Sequence, residues 1–189
     1  FIIEWAKIMH KKVMLYANGI GPVSKKQNRK MVKRVVGKAD IITLREEDSK
    51  LELQSMGIPG DRLYVTADPV FTMSPVIEEA AEKLLEEAGI PNDKGLIGVS
   101  VRNWKNDEDF IEKFAEICDK IYEKFDKNIV FIVMHNPNDT NISNEVMAKM
   151  KNKSYILDKN YAPKEIMRTQ GEVDFVLSLR LHSLILATK

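Results

Sequence analysis

Three arginines, Arg45, Arg102 and Arg180, each stand directly after or at the end of a short apolar, β-branched run, and the last opens the segment Arg180-Leu181-His182. A guanidinium is a planar fork of donors that fits a carboxylate or a phosphate through paired hydrogen bonds. Placing one where a buried strand ends is costly unless negative charge meets it. That charge is either a carboxylate of the chain or an anionic ligand. Three such positions favour an anion site, provided that they face one cleft. Ser178 reads as a helix N-cap, which would leave the amides after it pointing outward. A helix N-terminus favours an anion by about 0.3–1 kcal/mol near the surface. An imidazole two residues after Arg180 adds a further donor suited to a phosphate or carboxylate. The alternative for His182 is a hydrogen-bonded core histidine in the first turn of a helix.

Other residues carry weaker chemistry. Asn18-Gly19-Ile20-Gly21-Pro22 follows a strand and precedes a helix, but the third glycine of a dinucleotide fingerprint is missing. Gly19 and Gly21 either permit a tight turn or let the backbone approach a ligand. Asp68 and Asp139 sit in strand-to-helix loops as acids, bases or hydroxyl binders, with nothing to choose among these roles. The basic run from Lys25 to Arg34 shares its helix with apolar Met31, Val32, Val35 and Val36, the pattern of a solvated face. The three histidines are too far apart, and the cysteine too solitary, for a zinc set. No nucleophile elbow or phosphate-binding Walker loop occurs.

The elements that would position these residues alternate along the chain. Val13–Ala17, Ile41–Leu44 and Leu63–Thr66 are expected as strands too apolar to have a wet face, with helices over Lys25–Val36 and Glu47–Met56 between them. After a break at Pro69 and Pro75, Val76–Ala88 reads as a charged helix. Strands are then expected at Leu96–Val101, Ile129–Met134, Tyr155–Leu157 and Val173–Leu177. Helices are expected at Asp109–Phe125, Asn144–Lys151, from Pro163, and from Leu181 onward. Such alternation demands parallel sheets with right-handed crossovers. The fold class is therefore α/β with two Rossmann-like lobes: residues 1–74, a connector over 75–94, and 95–189. Ligands of such sheets bind outside the carboxyl ends of the strands.

Composition narrows the partners. Lys and Arg total 29 against 28 for Asp and Glu, so a net charge of +1 gives no footprint for nucleic acid. A single cysteine, Cys118, lies on the apolar stripe of a helix and suits a reducing compartment as a buried, inert thiol. No apolar run approaches the ~18 residues needed to span a bilayer, so membrane contact is expected to be peripheral at most.

Four segments in series, NGIGP, ADIITLREEDS, ADPVF and SLRLHSLILA, resemble the polysaccharide pyruvyl transferase family, particularly its bacterial cell-surface-anchoring branch. The resemblance runs over essentially the whole chain. It implies a two-lobed, GT-B-like fold and transfer of pyruvate from phosphoenolpyruvate, with no cofactor, to a cell-wall glycan. The expected acceptor is an N-acetylmannosamine residue, on a glycan that could be lipid-linked. The expected setting is cytoplasmic, at or near the inner face of the membrane. Arg180, Leu181 and His182 match the family's R-L-H motif, which contacts phosphoenolpyruvate; this implies Arg180 and His182 as catalytic residues and Leu181 as substrate-binding, with Arg45, matching the family's arginine after a first-lobe strand, assigned to the same ligand. Arg102, Gly19, Gly21 and Asp68 are substrate-binding candidates by position. Asn18 departs from the family's usual glutamine. The glycine-rich opening and the lysine beyond the R-L-H motif are not among these 189 residues, so this stretch alone is expected to be inactive. Competing readings are a nucleotide-sugar-dependent glycosyltransferase and a non-catalytic sugar-binding α/β module.

Overall fold

A computed structural model describes residues 2–74, 78–91, 93–103 and 109–188. The chain forms two compact units, Phe1–Phe71 and Thr72–Lys189.

The first unit contains α1 (Ile2–Ile8), β1 (Met14–Asn18), α2 (Lys26–Val36), β2 (Ile41–Leu44), α3 (Glu47–Ser55) and β3 (Leu63–Val65). Its three strands are parallel and lie in the order β1-β2-β3. Leu15 pairs with Ile42 and Ile42 with Leu63, so these alternate positions share one sheet face. Ile42, Leu44, Leu53, Ile58 and Leu63 form the buried core there, with Val32 and Val36 of α2 against it. The opposite face carries Met14, Tyr16, Ile41 and Tyr64, all exposed, Tyr16 by 65%. Among the described residues this face of the sheet is exposed, where the sequence predicts strands without a wet face. Strands laid down in sequence order by right-handed crossovers send both helices to the same side.

The second unit contains α4 (Glu78–Glu87), β4 (Leu96–Ser100), α5 (Phe110–Phe125), β5 (Asn128–Ile132), α6 (Asn138–Lys149), β6 (Ser154–Leu157), α7 (Pro163–Gly171), β7 (Phe175–Ser178) and α8 (Leu181–Leu186). Its parallel sheet has the order β6-β5-β4-β7. The chain builds outward from β4 to β6, and then α7 returns it to the other side of β4. Both faces are therefore covered, by α5 and α6 packed together and by α7 with α4 and α8. β4 and β5 are buried along their whole length. Phe131, Ile97, Val99, Ile129, Phe114 and Val146 lead the core.

Three helices differ from expectation. The helix expected at Asn144 starts at Asn138, because Asp139 in its first turn accepts the His135 amide at 3.0 Å and makes a run of polar residues helical. α1 is an additional helix at the start of the chain. α4, expected in a connector, packs against α7 within the second unit, while Pro75, Val76, Ile77 and Asn92 of that segment lie outside the described residues.

Asp119 ties the core helix α5 to the turn after α6. Its carboxylate accepts the amides of Lys151 and Asn152 and the Asn152 side chain at 3.0–3.1 Å. Burial alone would raise its pKa, but those donors outweigh it and hold the carboxyl below its ordinary value. A depressed folded pKa contributes stability above the unfolded value and loses it as pH falls through the folded one. Asp119→Asn should therefore lower the unfolding midpoint at pH 7, and its difference from wild type should shrink below about pH 4. Next to it, burial pushes the Cys118 thiol up to about 12, with the Asp119 charge adding to the effect. A disulfide-exchange reagent at pH 8 should leave Cys118 unmodified in the native protein and titrate one thiol after denaturation.

Candidate active site

The strand order of the second unit reverses between β4 and β7, and the carboxyl ends of those strands are where an open α/β sheet binds ligands. Ser100 and Ser178 end the two strands side by side, and the Leu179 amide donates to the Ser100 carbonyl at 2.9 Å. Arg102 leaves β4 and Arg180 leaves β7. Both line a pocket of about 540 Å³ together with Asn103, Asn138, Asn141 and Glu145. The last three fall on one face of α6.

Ser178 is not the helix N-cap. Its hydroxyl accepts the Arg180 amide at 2.9 Å and closes a local turn, and Arg180 itself, with extended backbone, occupies the cap position of α8. The turn directs the Arg180 side chain to Asp139. Nε donates to Oδ2 at 3.1 Å, and Nη2 donates to Oδ1. Asp139 is 1% exposed and Arg180 29%. His182 lies exposed on the first turn of α8, so it is not a core histidine, and it is not among the residues lining the pocket. Leu181 beside it is exposed as well. A buried bond from Gln170 Nε2 to Ser183 Oγ (2.6 Å) fixes α8 to α7.

The first unit repeats the theme with different parts. Arg45 follows β2, its amide donating to the Asn18 carbonyl (3.3 Å) and its Nη1 to Asp68 Oδ2 (3.0 Å). Asp68 is buried and also accepts the Val70 amide at 3.1 Å. The Arg45 guanidinium lies over Gly19 so closely that a Cβ there would sit 2.7 Å from Nε and Nη2. Arg45 Nε is buried with no hydrogen-bond partner among the described residues. Gly21, at φ +112°, turns the loop onto α3, where Ser49 Oγ accepts the Ile20 amide and Glu52 accepts the Val23 amide. Arg29 of the basic run pairs with the same Glu52 at 2.8 Å, so that cation is structural.

The structure thus gathers Gly19, Arg45 and Asp68 in one cluster and Arg102 with Arg180 in another. Asn138, Asn141 and Glu145 are not legible as site residues in the sequence, because Asn136-Pro137-Asn138-Asp139 has the composition of a loop and α6 begins at Asn138. Their spacing of three and four would have placed them on one face. Among the described residues no group of acidic, histidine or cysteine side chains could hold a metal ion. No helix among them is long and apolar enough to cross a membrane. Gly19→Ala should lower the unfolding midpoint, since a Cβ 2.7 Å from the guanidinium pushes it away from the buried Asp68 carboxylate. The same displacement should weaken the activity of the complete protein, and a variant with both midpoint and activity unchanged would show that Arg45 keeps its place.

Comparison with known proteins agrees with this architecture. The UDP-GlcNAc 2-epimerase from Neisseria meningitidis, solved bound to UDP-GlcNAc, superposes with TM-score 0.60 at 16% identity, over 94% of this chain and 50% of its own. A putative UDP-N-acetylglucosamine 2-epimerase from Listeria monocytogenes gives TM-score 0.65 at 16% identity, over 94% and 48%. A glycosyltransferase from Rickettsia africae gives 0.52 at 18% identity, over 93% and 53%. These likenesses establish the GT-B-like α/β fold, and the chain spans about half the length of the structures it matches. No match was found among curated proteins. The family model for polysaccharide pyruvyl transferase matches residues 1–189, and the chain belongs to that family.

Proposed function

We propose that the protein to which this chain belongs transfers the pyruvyl group of phosphoenolpyruvate to two hydroxyls of a sugar in a cell-wall polysaccharide, releasing phosphate. The observation that carries the proposal is the pocket at the β4/β7 switch point, lined by Arg102 and Arg180, in a chain of this family. Phosphoenolpyruvate presents a carboxylate and a phosphate, and a pair of guanidiniums is the donor set such a dianionic ligand needs.

In the transfer, the methylene carbon of the enol gains a proton, and the two hydroxyl oxygens bond to the adjacent carbon as its bond to the phosphate oxygen breaks. The two hydroxyl hydrogens are balanced by the one on the new methyl group and the one leaving with phosphate. His182, on the first turn of α8 two residues from Arg180, is assigned to supply or relay the proton or to bind the phosphate. Leu181 holds the spacing between them. Gly19, Gly21, Arg45 and Asp68 are assigned to substrate binding in the first unit. A cytoplasmic setting and a lipid-linked acceptor belong to the same proposal.

Thermal unfolding of the complete protein tests the donor. Phosphoenolpyruvate at a hundred times its dissociation constant should stabilise by about 2.7 kcal/mol, with UDP-GlcNAc giving no shift. Stabilisation by UDP-GlcNAc alone would turn the assignment to a nucleotide-sugar glycosyltransferase. His182→Ala should abolish ketal formation, and a near-normal rate in that variant would remove His182 from the chemistry.

A further inference from the structure

We infer that Asp139 is a positioning residue for anion binding: it sets the direction in which Arg180 presents its guanidinium to the pocket. The inference rests on the reading of that pocket as an anion site. Asp139 does not line the pocket, so it acts only through Arg180. Its carboxylate is nearly sealed from water and takes three donors, the His135 amide at 3.0 Å and Nε and Nη2 of Arg180. A carboxylate so enclosed has one orientation, because any rotation leaves a buried oxygen without its donor.

The pairing is side-on. It uses the Nε–Nη2 edge of the guanidinium and takes nothing from Nη1. Since the fork is planar and rigid, fixing one edge fixes the direction of the remaining amino group. The arrangement depends on topology, for Asp139 follows β5 and Arg180 follows β7, the two strands that flank β4. The ion pair therefore reaches past the end of β4, where Arg102 emerges into the same pocket. Two guanidiniums lining one pocket repel each other. The buried negative charge of Asp139 behind Arg180 offsets that repulsion before any ligand arrives.

The test uses the complete protein with Asp139→Asn, Arg180→Lys and the double variant. Dissociation constants are measured by calorimetry for phosphoenolpyruvate and, in parallel, for UDP, beside the unfolding midpoint of each unliganded protein. Asp139→Asn should weaken binding of whichever anion the wild type takes by about tenfold or more, and the double variant should be no worse than Arg180→Lys alone. A merely structural ion pair would lower the unfolding midpoint and leave the affinity of the folded protein unchanged. Folded Asp139→Asn binding within twofold of wild type, or losses that multiply in the double variant, would overturn the inference. Should Asp139→Asn fail to fold, Asp139→Glu carries the test. It keeps the charge but moves it by one methylene, and must still weaken binding severalfold. A wild type that binds UDP and not phosphoenolpyruvate would sink the pyruvyl-transfer reading while leaving the Asp139 effect measurable on UDP. A wild type that binds neither would sink both.

Discussion

A guanidinium at the carboxyl end of a buried parallel strand has to be met by negative charge, and both units are organised around that constraint. Arg45 is met by Asp68 and Arg180 by Asp139, and both carboxylates are buried while both arginines stay partly exposed. In each pair the acid is the anchored partner, bonded also to a backbone amide of its own loop. The cation is thereby held at the edge of the sheet with part of its surface open to solvent. An ion pair of this kind is weak evidence for stability, since desolvation consumes most of the Coulombic gain. Under the proposed function, such a pair fixes a cation where a ligand can reach it.

The two units reach this arrangement by different topologies. In the first, β1, β2 and β3 lie side by side in sequence order, so Gly19, Arg45 and Asp68 follow adjacent strands and meet by simple succession. Gly19 is required there because the guanidinium occupies the space that a Cβ would take. The second unit needs the reversal of strand order. Only because β7 returns to the far side of β4 do Arg102 and Arg180 share a pocket, with Asp139 close enough to pair. The reversal also covers both faces of the second sheet, whereas among the described residues Met14, Tyr16, Ile41 and Tyr64 of the first stay exposed.

Much of this was legible beforehand. The alternation of β-branched runs with amphipathic stretches located every strand to within a residue or two, and continuous apolarity matches burial along the whole strand in β4 and β5. The family was legible from four short segments. The errors were local. Ser178 has the residue type of an N-cap, but its hydroxyl is taken by the Arg180 amide, so a good local preference lost to a tighter turn. The start of α6 was missed because Asn136-Pro137-Asn138-Asp139 has the composition of a loop. It is helical because Asp139 and His135 satisfy each other's backbone groups.

By itself the sequence determined which residue types stand at the ends of strands, and hence where an anion could be received. The tertiary structure decided which acid faces which cation: Asp68 is 23 residues from Arg45, and Asp139 is 41 residues from Arg180. Hydrophobic periodicity and capping act over a few residues and can be read along the chain. Charge pairing at a sheet edge depends on which strands become neighbours, and that is settled only when the crossovers have been made.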